Sequence, residues 1–298
     1  VSPARPVGLG ALGALSLACG VGCTSVPPPQ SKVPDAAGAL GRLRSSGERC
    51  TGVQATAKVD YFGDEGRGRG DVWLFASWPA RLRMDIISPF GVNLATLTSD
   101  GTRFGMADLR NKSFYVGEPK ACAIGQFTQV PIPAHALVSL LRGQAPILKH
   151  AAETATIEWD RHGYYLVQLA GADDTHEELH LEPRPDDLAK PWTEQRMRIV
   201  GVVVRQHGDV LYDAEMSDFS SAPMAAARVD PDGIDPPTPP SGPQCTAELP
   251  RKIHVRVPSR GQDVQFRYDK VTWNPPLPPG TFAQAVPQGS RVVPVQCP

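Results

Sequence analysis

The feature that most constrains this chain is a two-residue alternation of apolar and polar side chains, repeated in short runs that are cut by turn signals. Val53, Ala55, Ala57, Val59 and Tyr61 alternate in this way, as do Val72, Leu74, Ala76 and Trp78. Successive side chains of a strand point to opposite faces, so each run predicts a strand with one buried face. Leu82, Met84 and Ile86 continue the pattern after Pro79, and a Ser88-Pro89-Phe90-Gly91 turn follows. Further strands are predicted over 92–98, 102–107, 113–117, 156–160, 164–170, 177–181, 196–205, 210–213, 252–257 and 264–273. Residues 63–70, GDEGRGRG, read as a hairpin loop, and 99–101, SDG, as a turn. Strands this close together, with turns between them, predict an antiparallel meander. A sheet of so many strands must curl or cover its edges.

Two segments have the period of a helix. Residues 35–46 place Leu40 and Leu43 one turn apart behind Asp35, a suitable N-cap. Residues 131–143, PIPAHALVSLLRG, bring Ala134, Leu137, Val138 and Leu141 to one face, with Pro133 in the first turn and Gly143 as the stop. No other helix of comparable strength and no internal repeat is legible. Apolar residues make up 41% and charged residues 20%, enough apolar content for a packed core. The formal net charge of −1 lacks the basic surplus that a nucleic-acid partner demands. The 31 prolines and 28 glycines gather at the ends and at turns, which favours loop-rich β structure over a helical bundle.

Residues 1–22 read as a targeting segment. Arg5 supplies a positive start, and residues 7–22 are uncharged and carry Leu9, Leu12, Leu15, Leu17 and Val21. That run is shorter than the roughly 20 residues of a membrane-spanning helix and fits the apolar centre of a signal peptide. A cysteine after small residues at the end of such a run resembles a lipoprotein cleavage site, and Cys23 and Cys19 both qualify. If Cys23 is the acylated N-terminus, Cys19 departs with the signal, and Cys50, Cys122, Cys245 and Cys297 remain. An even number suits two disulfides in an oxidising compartment, with three pairings open. If Cys19 is acylated, one thiol is left over. Residues 24–34 are polar and proline-rich and suit a semi-extended tether. The expected organisation is a signal peptide (1–22), an acylated Cys23 with tether and short helix (23–46), and a single β domain (47–298). That domain has a proline-rich insertion near 230–243 and an extended tail.

Three stretches in order resemble the Lol-pathway family of lipoprotein carriers and receptors, the outer-membrane receptor (LolB) most closely. They are RLRMDIISPFGVNLATLTSDG (81–101), VPIPAHALVSLLRG (130–143) and LPRKIHVRVPSRGQDVQFRYDKVTWN (249–274), and the likeness spans roughly 50–274. Residues 182–248 are longer than the family usually carries, and the cysteines and proline-rich tail depart from it. The resemblance implies an open antiparallel half-barrel with a helical lid over an apolar cavity. It also implies an outer-membrane lipoprotein, facing the periplasm, that receives acylated lipoproteins from a LolA-like carrier and inserts them among outer-membrane lipids. Such a protein is expected to be a monomer and not an enzyme, with no cofactor besides its own N-terminal lipid. A paralogue that binds another hydrophobic ligand, or that senses or shapes the envelope, shares the fold and stays open. The cavity and lid are expected at Leu82, Met84, Ile86, Val92, Leu94, Leu137, Val138 and Leu141. The turn Pro89, Phe90, Gly91 is expected to present Phe90 to the membrane, the other possibility being that Phe90 folds back on the core.

His176-Glu177-Glu178-Leu179-His180 spells the zinc-hydrolase pattern H-E-x-x-H. That chemistry needs a helix, where residues four apart converge on one ion. Here Glu178, His180 and Glu182 alternate with Leu179 and Leu181, and Pro183 and Pro185 follow, so a strand is predicted. On a strand the two histidines lie about 13 Å apart and cannot share one zinc. The acidic cluster Asp173, Asp174, Glu177, Glu178 reads as a solvated hairpin end, and His135 as a surface residue.

Overall fold

The computed structural model describes Val1 and residues 25–63, 66–128, 130–234 and 236–297; the signal segment with Cys19 and Cys23 lies outside the described residues. The alternating runs become the strands β1 (Gly52–Gly63), β2 (Gly66–Ser77), β3 (Arg81–Ile87), β4 (Asn93–Ser99), β5 (Phe104–Asp108), β6 (Ser113–Gly117) and β7 (Thr156–Asp160). They continue as β8 (Tyr164–Ala170), β9 (Thr175–Pro183), β10 (Met197–Gln206), β11 (Asp209–Ser221), β12 (Glu248–Val257), β13 (Gln262–Trp273) and β14 (Arg291–Pro294). All fourteen form one sheet in the spatial order β14-β6-β5-β4-β3-β2-β1-β13-β12-β11-β10-β9-β8-β7. Every pairing is antiparallel except β14 with β6. β14 and β7 are the two edges and do not pair with each other, so the half-barrel is open. Its centre is the long β1–β13 ladder, from Val53 opposite Trp273 to Phe62 opposite Asp263, which joins the two halves of the chain.

The concave face holds the core. Val53, Ala55, Ala57, Leu74, Leu82, Leu179, Leu181, Ile199, Ile253, Phe266 and Trp273 are all buried there. Helix α1 (Ala36–Gly47) is capped by the Asp35 carboxylate, which accepts the Gly38 N–H at 2.7 Å, and it packs against β10. Helix α2 (Ala121–Thr128) was not legible in the sequence. Helix α3 (Ala134–Leu141) starts behind Pro133, ends before Gly143 (φ +68°) and lies against β2 and β3. Leu137, Val138, Leu140 and Leu141 are at most 1% exposed. The helix expected as a lid thus turns its apolar side chains inward, and lifting it would strip several of them of cover at about 1.5–3 kcal/mol each.

The loop reading of residues 63–70 is corrected. Residues 66–70 do not belong to a loop: they begin β2 and pair with β1 from Gly63 opposite Gly66 to Val59 opposite Gly70. The proline-rich stretch after residue 24 is docked, with the Val26 N–H donating to the Arg161 carbonyl and the Val33 N–H to the Tyr165 hydroxyl. The tail is also fixed. Gln284 Nε2 donates to the Thr96 and Gly105 carbonyls on the convex face, Phe282 is buried, and β14 extends the sheet.

Two disulfides lock this arrangement, Cys50–Cys245 and Cys122–Cys297. The first meets a dense junction. Asn274, fully buried, donates to the Arg49 and Pro243 carbonyls and accepts the Gly52 N–H, and the Arg142 guanidinium reaches the Cys50 carbonyl. The second ties α2 to the tail just beyond β14.

Candidate functional site

Not all of the concave face is filled. Beside the end of α2 lies an apolar cavity of about 280 Å³, lined by Val59 and Tyr61 of β1, Gly68, Gly70 and Val72 of β2, and Met84 and Ile86 of β3. Leu97, Met106, Val264 and Phe266 complete the sheet side, and Phe127 and Thr128 of α2 close it. The alternation Gly66-Arg67-Gly68-Arg69-Gly70 produces this space. With a period of two, its glycines fall on the concave face and its arginines on the convex face. A Cβ added at Gly70 meets nothing within 4 Å, and one at Gly68 meets only the Tyr61 ring, at 3.8 Å. The missing side chains thus leave a trough between Val59 and Ile86. Across the sheet, Asp60 anchors the arginines: Arg69 donates to it at 2.6 Å and Arg267 at 2.7 Å, and this holds its carboxyl below the usual carboxylate range.

Phe127 is the wall that α2 contributes. Its ring lies 5.9 Å from Phe104 and 5.0 Å from Tyr115, both tilted. Helix α2 is short, and at Gly125 its backbone approaches Pro131 so closely that a Cβ would fall 2.6 Å from the Pro131 Cα. Small ligand sites run from roughly 300 to 1,000 Å³. At about 280 Å³ the cavity lies just below that range.

The structure sorts the residues expected at the site. Met84 and Ile86 line the cavity, while Leu82, Leu137, Val138 and Leu141 lie deeper in the packed core. Val92 and Leu94 do not line it and are 59% and 40% exposed. The register between β3 and β4 shifts after Ile86, so Asn93 opposes Ile87 and Leu94 falls on the convex face with Thr96 and Thr98. Val59, Tyr61, Gly70, Met106 and Phe127 were missed; the one sequence signal for them was the glycine alternation, which also resembles a loop.

At the tip of the β3–β4 hairpin Phe90 is 92% exposed, so it does not fold back on the core. The turn is held by the Gly91 N–H donating to the Ser88 carbonyl and the Ser88 N–H donating to the Val92 carbonyl. Gly91 has φ +78°, a conformation costly for any other residue. The hairpins β1–β2 and β5–β6 end at the same rim, as the pairs Gly63–Gly66, Ile87–Asn93 and Asp108–Ser113 require. The rim therefore exposes Phe62, Phe90, Val92 and Leu109, with the Arg67 guanidinium 4.7 Å over the Phe62 ring.

The H-E-x-x-H pattern lies on β9. His176 bonds Asp174, and His180 bonds Glu178 and stacks on Tyr164 at 4.4 Å, so each imidazole has its own partner. Glu177 points to the opposite face, is buried, and accepts the Leu148 N–H at 2.7 Å. Burial pushes its carboxyl up to about 7. The folded protein thus binds this proton more tightly than the unfolded chain does. Stability is highest while Glu177 is protonated and falls as the pH rises from about 4.5 to about 7, by a total on the order of 3 kcal/mol. Glu177→Gln is expected to remove that decline. Melting curves between pH 5 and pH 8 check this: the variant should gain on wild type as the pH rises, and a constant difference would contradict it.

No protein-family model matches the chain, and no curated protein sequence matches it. Solved structures do. A LolA superfamily protein from Nitrosomonas europaea is 12% identical and covers 83% of this chain and 97% of its own, with a TM-score of 0.48. A putative outer membrane lipoprotein-sorting protein domain from Vibrio parahaemolyticus is 9% identical and covers 83% and 94%, with a TM-score of 0.45. A DUF1329 family protein from Desulfovibrio piger is 10% identical and covers 85% of this chain and 98% of its own, with a TM-score of 0.50; the fold is shared with that protein.

Proposed function

We propose that this chain is a non-catalytic binding protein that takes an acyl chain of a lipoprotein into the concave cavity and releases it at a membrane. The observation that carries the reading is the trough cleared by Gly68 and Gly70, which leaves apolar volume at the open end of an otherwise packed face. Acyl chains gain about 0.8 kcal/mol per buried methylene, so an apolar space captures them without chemistry. In this reading Cys23 (or Cys19) carries the lipid that holds the chain on the outer membrane, facing the periplasm. A LolA-like carrier delivers the cargo, and the rim with Phe90 meets the bilayer. The apolar tips partition into the interface while Arg67 and Arg69 face the phosphates.

Gel filtration of the purified full chain with an equimolar acylated lipoprotein tests the proposal. The two are expected to co-elute, and failure to do so would contradict the cargo. The cavity volume itself favours a second reading: 280 Å³ is small for more than one acyl chain. Retention of a free fatty acid without any lipoprotein would point to a single-chain ligand.

Phe90→Glu is expected to leave cargo binding unchanged and to lower transfer into liposomes several-fold, because the tip loses an apolar side chain and gains a charge at the interface. Lipid transfer at wild-type rate would remove Phe90 from the mechanism. The side chain makes little contact with the protein, so the variant should fold normally.

A further inference from the structure

The convex face carries a second concavity, separated from the acyl cavity by the sheet itself. It measures about 900 Å³ and is floored by β13, β1, β2 and β3. Residues 225–228 (Ala-Ala-Ala-Arg) and the proline-rich segment 276–281 add to its lining. Both are fixed: the Ala225 N–H donates to the Trp273 carbonyl, and Pro240 bridges to Pro276.

The floor combines an aromatic plate with ordered polar groups. Trp73 is 56% exposed although it stands inside the cleft, and Phe75 lies two residues on, on the same face. Directly across from them, Asp85 opposes Trp73 and Arg83 opposes Phe75. Arg83 and Asp85 are joined by two hydrogen bonds of 2.8 and 3.0 Å, and the Thr96 hydroxyl donates to Asp85 at 2.7 Å. These bonds occupy the Nε and one Nη2 donor of Arg83 and leave three of its five N–H groups for a ligand. Gln54 adds an amide opposite Phe75, and Asn93 another whose buried Oδ1 has no partner among the described residues.

An exposed indole beside fixed guanidinium, carboxylate and amide groups is what a pyranose ring requires. Its face of C–H groups lies on the apolar ring while its hydroxyls exchange paired hydrogen bonds with the planar polar groups at its edge. A lipid would leave the polar groups unsatisfied, at a cost of about 1–3 kcal/mol each. A purely anionic ligand would have no use for the exposed indole and would face Asp85. The volume, near the upper end of small-molecule sites, accepts more than one ring.

From this juxtaposition we propose that the convex cleft is a glycan-binding site for a short, uncharged oligosaccharide stacked on Trp73. The site is independent of the acyl cavity on the other face, and either can fail alone.

Calorimetric titration of the full chain with chitotetraose and with cellotetraose tests it. At least one of these probes should bind saturably. Trp73→Ala should weaken that binding at least tenfold, and Trp73→Phe should restore most of it. The exposure of Trp73 makes a folding failure unexpected, and an unchanged melting temperature verifies this. No binding by either probe overturns the proposal. So does binding that survives Trp73→Ala but vanishes in Arg228→Ala and in high salt, which would identify an anion site instead.

Discussion

Replacing Cys50 and Cys245 together by serine is expected to lower the stability of the fold by about 2–5 kcal/mol. The two cysteines are 195 residues apart, so their bond closes a very long loop in the unfolded chain, and the entropic gain grows with loop length. They also lie where α1 leaves the concave face, β1 begins and the residue-243 loop returns to the sheet. Arg142 and Asn274 are bonded to the same backbone. Both sulfurs are buried, so the serines would place two hydroxyls in an apolar setting, adding to the loss. Chemical denaturation of the oxidised wild type and the double variant measures it. A difference under 1 kcal/mol would show that the hydrogen-bonded junction holds without the bridge.

The second large effect is expected at Gly70. Gly70→Phe places a ring in the trough where a Cβ meets no neighbour, so the fold tolerates it. A glycine in a strand interior costs roughly 0.5–1 kcal/mol relative to alanine, so stability should hold or rise slightly. If the ring excludes three methylenes of an acyl chain, at about 0.8 kcal/mol each, the loss is about 2.4 kcal/mol, or roughly fiftyfold in affinity. Titration with a fluorescent fatty acid reads this directly. Loss of binding with an unchanged melting temperature is the expected result; unchanged binding would place the ligand elsewhere.

What the sequence reveals of this protein depends on how local the determining interactions are. The strands with clean alternation, such as β1 and β13, and the capped helices α1 and α3 are legible because their own residues carry the pattern. The start of β2 is not, since Gly66 to Gly70 has the composition of a turn and becomes a strand only by pairing along β1. Helix α2 is short, holds a glycine and has no strong cap, and its position depends on Pro131 and on Cys297 far along the chain. β14 has four residues and exists because β6 offers a free edge. The site suffers most from this. In its sheet wall, Met84 and Ile86 are legible through their own alternation. Its defining feature is the absence of side chains at Gly68 and Gly70, which hydrophobic periodicity does not register. Helix α3, the expected lid, is easy to see because it is strongly apolar, and the same apolarity turns it inward.

The most direct test of an acyl-binding concave face is photo-crosslinking of the full chain with a fatty acid that carries a diazirine near its terminal methyl. Adducts on the strand pair 59–72 and at Phe127 are the predicted outcome, with Gly70→Phe abolishing them. Adducts confined to the convex face, or undiminished in that variant, would contradict it.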